Sequence, residues 1–196
     1  HTLIGLVREA LNRGVHPSRI AFVSFTTKAI REAVSRACAE FDLTPDDFPH
    51  FKTLHATGYH GLGLNRSDVM SKADYAELGK MLGVEFNGAD RTSIDDGIAL
   101  PTIGGSGSKY LQAVMRARYR MVSLEQEYND MRDHSISYQK LLQVHAQNEE
   151  YKSKMNKTDF VDMIDRYIDL VDPPYLDLFI TDEAQDLTPL QWAMAK

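Results

Sequence analysis

One cysteine, Cys38, stands in a chain of 196 residues, so no internal disulfide forms and packing must hold the fold. It lies on the apolar face of a predicted helix, which reads as a buried packing position. No apolar run approaches the roughly 20 residues that span a bilayer, which excludes a membrane-spanning helix. An excess of positive charge is missing too. The formal net charge is −6, which argues against a passive nucleic-acid coat. A motor gripping nucleic acid along a local track stays open, because local fields decide that contact. There is no internal repeat and no long low-complexity tract. The chain begins with His1 rather than Met, so it is expected to start inside a longer protein.

What remains is an ordinary globular composition, 43% hydrophobic and 26% charged, long enough for one domain or one domain with an insertion. The pattern predicts a helix from Thr2 to about Asn12, then a short buried strand at Ile20-Ala21-Phe22-Val23. Ile30, Ala33, Val34, Ala37, Cys38 and Phe41 share one face of an amphipathic helix. Phe51 to Leu54 reads as a second extended piece. From about Ala56 to Asn156 helical patterns dominate, with Ser71/Asp74 and Ser123/Gln126 spaced as capping boxes and a glycine-rich loop from Asn87 to Ser108. A further helix carries Phe160, Met163, Ile164, Tyr167, Ile168 and Val171, with Thr158 placed to cap it, and Pro173-Pro174 stops it. Leu176 to Thr181 is an apolar strand, and Thr188-Pro189-Leu190-Gln191 restarts a helix. This order predicts an α/β fold, a parallel sheet carrying a helical inserted subdomain: residues 1–55, then the insertion at 56–156, then the return of the sheet at 157–196.

The last strand runs directly into Asp182-Glu183-Ala184-Gln185-Asp186. In open parallel sheets the carboxyl ends of the strands face the ligand crevice, so two carboxylates are delivered there. Nucleoside triphosphate hydrolysis needs both. One carboxylate holds the Mg²⁺ that bridges the phosphates, and a neighbour orients or deprotonates the attacking water. Asp182 suits the metal, Glu183 the water, and Gln185 is placed to sense the γ-phosphate. An Asp-Glu pair alone is more often a solvated turn. The strand before it and Gln185, Asp186 and Gln191 after it favour the site.

These residues, Ile180 to Gln191, resemble helicase motif II of the UvrD/Rep family, and Asp159-Phe160-Val161-Asp162-Met163-Ile164 resembles the stretch that precedes it. Val23-Ser24-Phe25-Thr26-Thr27-Lys28-Ala29-Ile30 resembles motif Ia, with Ser24, Thr27 and Ile30 departing from its usual residues. The chemistry suits a nucleic-acid contact: helix-start amides with the Thr26 and Thr27 hydroxyls for phosphate oxygens, Lys28 for charge, Phe25 for stacking on a base. Thr53-Leu54-His55-Ala56-Thr57-Gly58 resembles the next family element, which implies that Thr53, Leu54 and His55 also grip DNA. His50, His55 and His60 recur every five residues, a step that holds no single helical face, so a zinc reading is set aside. Lys109, Arg116, Arg118 and Arg120 form a basic stretch, either a solvated helix face or a surface for duplex DNA.

The resemblance implies a partial RecA-like P-loop NTPase fold. It implies ATP and Mg²⁺ as cofactors, with Asp182, Glu183 and Gln185 at the nucleotide and Asp182 on the metal. It also implies single-stranded DNA and single-strand/duplex junctions as partners, 3′ to 5′ movement and a cytoplasmic location. The phosphate-binding loop would lie directly upstream of His1 and a second motor domain beyond Lys196, so the polypeptide alone is expected to hydrolyse ATP negligibly. Two alternatives stay open: the helicase part of an AddA/RecB-like helicase–nuclease, and a non-catalytic binding module on a degenerate motor fold.

Overall fold

The computed structural model describes residues 3–86, 105–131 and 135–196. Its sheet is built on β1 (Ile20–Val23), four apolar residues that are all buried. β1 pairs in parallel with β2 (Phe51–Lys52) on one side and with β3 (Leu178–Thr181) on the other. Phe22 lies opposite both Phe51 and Ile180. The strand order β2-β1-β3 means the chain leaves β1 in one direction and returns across it in the other. Such a reversal opens a crevice at the carboxyl ends of the strands.

Two cores form on the sheet because residues alternate faces along a strand. Ile20 and Phe22 join Ile180 and Phe51 in a cluster with α1 (Leu3–Asn12) and α2 (Thr27–Phe41), through Ile4, Val7, Ile30 and Ala33. The predicted stripe of α2 thus meets the sheet, with Cys38 partly buried at its margin. Val23 joins the second cluster with the helices that follow β2. These are α3 (Leu54–Gly61), α4 (Lys72–Leu82), α5 (Ser108–Arg120), α7 (Tyr138–Met155) and α8 (Phe160–Leu170), with α9 (Pro189–Ala195) after β3, while α6 (Leu124–Asp130) packs in a smaller cluster around Val114 and Leu141. Val23, Leu54, Leu78, Leu111, Val144, Ile164 and Leu190 share this one core. The helical segment and the strand-bearing segments therefore have a common interior. The boundary drawn between residues 55 and 56 falls inside α3, whereas the one after Asn156 falls at the cap of α7.

The helix ends show which polar residues set the chain's turns. Ser71 and Asp74 form the expected capping box, and the Ser123 hydroxyl accepts the Gln126 amide at 3.0 Å. α8 is capped by Asp159 with Asp162, not by Thr158. Thr158 is drawn away from that role: its amide donates to the Asp68 carbonyl, its carbonyl accepts from Met70, and its hydroxyl takes Arg166 at 2.7 Å. Of the predicted loop, residues 87–104 lie outside the described residues; Gly105 to Gly107 lead into α5. Among the described residues no helix is long and apolar enough to cross a membrane.

α3 reaches α8 through a glycine. A Cβ built on Gly58 would lie 2.5 Å from the Met163 carbonyl oxygen. Gly→Ala in a helix ordinarily stabilises by roughly 0.5–1 kcal/mol. Here Gly58→Ala is expected to cost about 1–3 kcal/mol, the range for overpacking, because backbone rather than a flexible side chain must move. Thermal unfolding checks this, and an unchanged or raised midpoint would contradict the close approach.

Candidate nucleotide and nucleic-acid site

Three strand ends converge at one edge of the sheet. After β1 comes Ser24, buried, then Phe25, half-buried, then Thr26, whose hydroxyl caps α2 by accepting the Ala29 amide at 3.1 Å. After β2, Thr53 caps α3 by accepting the Ala56 amide at 3.2 Å. After β3, the Asp182 amide donates to the Val23 carbonyl at 2.8 Å, continuing the β1–β3 pairing by one residue. That bond holds Asp182 beside Ser24, whose hydroxyl reaches Asp182 Oδ2 at 3.4 Å.

The cleft between these ends has a volume of about 380 Å³ and is lined by Phe25, Thr26, Thr53, Leu54, His55 and Asp182, with Tyr119 from α5 and Gln191 from α9. Asp182 also faces a second hollow of about 360 Å³, which opens against the start of α1 at Leu3 and Ile4. One carboxylate thus stands between two concavities, one at the beginning of α1 and one at the ends of β1 and β2.

Glu183 has φ 53°, in the left-handed region. The other described non-glycine residues with positive φ, Asp42, Met121 and Asn156, are helix C-caps. Glu183 alone among them follows a strand. This conformation costs a non-glycine residue roughly 1–2 kcal/mol, and such strain collects at functional turns. It turns the chain into a short 3₁₀ segment, Ala184–Asp186, and leaves Glu183 exposed, where the Gln185 amide donates to Glu183 Oε2. Thr188 and Gln191 then form a capping box that starts α9, with the Thr188 amide donating to Gln191 Oε1 at 2.9 Å. Gln191, 6% exposed, is held at the rear of the cleft.

The residues read as DNA-facing divide into two groups. Thr26 and Lys28 are exposed, and Phe25 and Thr27 are half-buried. Thr53, Leu54 and His55 are buried. Leu54 belongs to the apolar core, and the His55 ring packs edge-on against Phe160 with centroids 5.8 Å apart. His55 Nε2 lies 3.0 Å from the Tyr119 hydroxyl. Burial pushes the His55 imidazole down to about 4, so at neutral pH it is uncharged and presents a hydrogen-bonding ring, not a cation. Tyr119 had no sequence signal as a site residue. It lies 64 positions from His55 in a stretch that reads as basic helix surface.

The arginines of that basic stretch turn to carboxylates of α6 and α8. Arg116 and Arg120 both bond the buried Glu127, and Arg120 also reaches Asp130 at 2.7 Å. Arg118 pairs with Asp162 at 2.7 Å and Asp165 at 2.9 Å. The Lys109 ammonium donates to the Ser135 hydroxyl at 2.8 Å. Packing against α6 and α8 accounts for these arginines without DNA.

Among the described residues, no group of three or more His, Cys, Asp or Glu side chains comes together as a metal cage. Mg²⁺ is commonly held by one or two carboxylates together with substrate phosphates, and the hard oxygens of Asp182 and Ser24 fit that donor set.

The family model of the UvrD/REP helicase N-terminal domain matches residues 1–196. The chain belongs to this family. Its parallel sheet with flanking helices is accordingly a partial RecA-like helicase domain, and the chain is part of a superfamily 1 helicase. Helicases of this family use ATP with a divalent metal and bind nucleic acid. No curated protein matches the chain.

Proposed function

We propose that this UvrD/REP domain serves an ATP-driven translocase on single-stranded DNA, moving 3′ to 5′ and engaging single-strand/duplex junctions. The observation that carries this reading is the position of Asp182 between the hollow at α1 and the cleft at the ends of β1 and β2. A nucleotide on the α1 side and a strand on the other would share one wall, the end of β3.

On the nucleotide side, Asp182 would hold Mg²⁺, with Ser24 fixing the carboxylate through its hydroxyl. Mg²⁺ bound with ATP supplies charge neutralisation at the β and γ phosphates. Glu183 takes a proton from the attacking water at a carboxylate oxygen, and Gln185, bonded to that carboxylate, orients it and reports on the γ-phosphate. On the DNA side, Phe25 stacks on a base while Thr26, Thr27 and Lys28 bind the backbone. Thr53 presents the start of α3 to the same strand. Leu54 and the neutral His55 act from beneath, keeping that turn in place through the core and Tyr119.

The test is ATP hydrolysis by the intact protein with and without a single-stranded oligonucleotide. Turnover is expected to rise at least tenfold with DNA. Hydrolysis absent even with DNA bound would replace the motor by a binding module on the same fold.

A further inference from the structure

Every residue lining the cleft comes from a strand end or the segment just after it, with one exception. Tyr119, in the last turn of α5, reaches the cleft from the helical segment. The side chain is 4% exposed and shares its core with Leu54 of α3 and Leu190 of α9. α5 also packs directly on α9, the helix that follows the Glu183 turn.

Two adjacent residues fix this end of α5. Arg118 pairs with Asp162 and Asp165 of α8, and Tyr119 bonds His55 of α3 at 3.0 Å. The His55 ring meets two aromatic rings edge-on, Tyr119 with centroids 6.4 Å apart and Phe160 of α8 at 5.8 Å. Burial pushes the Tyr119 hydroxyl up and the His55 imidazole down, so both are neutral at pH 7. A hydrogen bond between two neutral groups contributes direction rather than net charge, and it fixes which imidazole nitrogen bears the proton. Packing alone needs neither polar group. A phenylalanine and a leucine would fill such a core and leave no buried donor or acceptor to satisfy.

We propose that Tyr119 is a positioning residue for DNA-stimulated ATP hydrolysis, holding His55 so that the first turn of α3 moves as one unit with α5 and α9. The proposal rests on the reading of the protein as a DNA motor and adds the route by which strand occupancy reaches the Glu183 turn. A strand pressing on Thr53 bears on His55 in the same helical turn, and His55 bears on Tyr119. α5 then bears on α9, which the Thr188–Gln191 cap ties to the end of the Glu183 turn. Each step is a packed or hydrogen-bonded contact, the kind of network through which coupling travels. Tyr119 touches neither DNA nor nucleotide in this route, and its hydroxyl acts only through His55.

The test uses the intact protein and reads oligo-dT affinity by fluorescence anisotropy, the KM for ATP, and turnover at saturating oligo-dT. Tyr119→Phe removes the hydroxyl and keeps the ring. It is expected to lower turnover at saturating oligo-dT by roughly three- to tenfold, the worth of one neutral hydrogen bond, with affinity and KM within about twofold of wild type. A residue that merely packs the core would not produce this split, because the folded enzyme would turn over at the wild-type rate. Circular dichroism at the assay temperature gives the fraction folded. His55→Leu should show the same loss, and the double variant no more than either alone, since all lack the same bond. His55→Gln, whose amide nitrogen takes the place of Nε2, should keep most of the stimulation. These His55 variants read the bond from its other end should Tyr119→Phe fail to fold. Wild-type turnover in Tyr119→Phe, or additive losses in the double variant, would overturn the coupling and leave the motor reading intact. A loss matched by equally weakened oligo-dT binding would place Tyr119 in the strand's own site and overturn it too. No stimulation of the wild-type protein by oligo-dT would sink the motor reading, and the proposal with it.

Discussion

In the intact protein, Glu183→Gln is expected to leave DNA binding in place and to lower DNA-stimulated ATP turnover by about 10²–10⁴-fold, the contribution of a positioned general base. The substitution is nearly isosteric. Its amide oxygen still accepts the Gln185 hydrogen bond that the carboxylate accepts now, so the turn after β3 has no reason to rearrange. What is lost is the ability to take a proton. Asp182→Asn is expected to act differently, raising the KM for the Mg²⁺–ATP complex, because Asp182 is fixed at the end of β3 by the Val23 carbonyl and the Ser24 hydroxyl. Steady-state hydrolysis at several ATP concentrations separates the two effects. A Glu183→Gln enzyme within twofold of wild-type turnover would remove Glu183 from the chemistry and leave Asp182 as the only acid to defend.

The features legible in the sequence are those written in period or in adjacency. Ile20 to Val23 is a buried run and became the central strand; the stripe from Ile30 to Phe41 became the face of α2 against the sheet. The acidic cluster follows its strand without a gap, so its place at the carboxyl edge came with the strand. Contacts between distant elements leave no such trace. His55 meets Tyr119 across 64 positions, and Lys152 meets Asp159 and Asp162 from a different helix. Nothing in the motif around Thr53 announces that Leu54 and His55 turn inward, because burial there is decided by α5 and α8 arriving from later in the chain. The cap of α8 shows the same limit on a smaller scale. Thr158 and Asp159 are both competent caps, and the choice falls to Asp159 because the segment around Asp68 engages the Thr158 backbone. The left-handed turn at Glu183 is likewise invisible, since no glycine or asparagine marks it.

Lys152→Met is expected to destabilise the domain by about 3–5 kcal/mol, the cost of leaving buried charge without its partner. The Lys152 ammonium is 4% exposed and lies 2.8 Å from both Asp159 and Asp162. Burial pushes its pKa down, but the two carboxylates outweigh that and hold it raised, so it is charged. Burial also pushes the Asp162 carboxyl up, and Lys152 with Arg118 outweighs it and keeps it below its ordinary value. Asp159 goes the other way, raised by burial and by the neighbouring Asp162 charge. Methionine keeps the length of the stem and removes the cation, leaving Arg118 alone to face the pair. For a chain of this size that loss corresponds to roughly 6–20 °C in the unfolding midpoint. In the variant the Asp159 carboxyl, already raised by burial and by the Asp162 charge, would lose a cation and bind a proton more tightly folded than unfolded. The deficit should therefore be full at neutral pH and shrink as pH falls through its raised pKa. Adding Asp159→Asn to Lys152→Met should recover part of the loss, because it removes the charge that the lysine had balanced. Thermal unfolding of the three variants at pH 7 and pH 5 reads all of this. A Lys152→Met midpoint equal to wild type, or a deficit that grows on acidification, would mean that the carboxylates draw their stabilisation from Arg118 and the α8 cap instead.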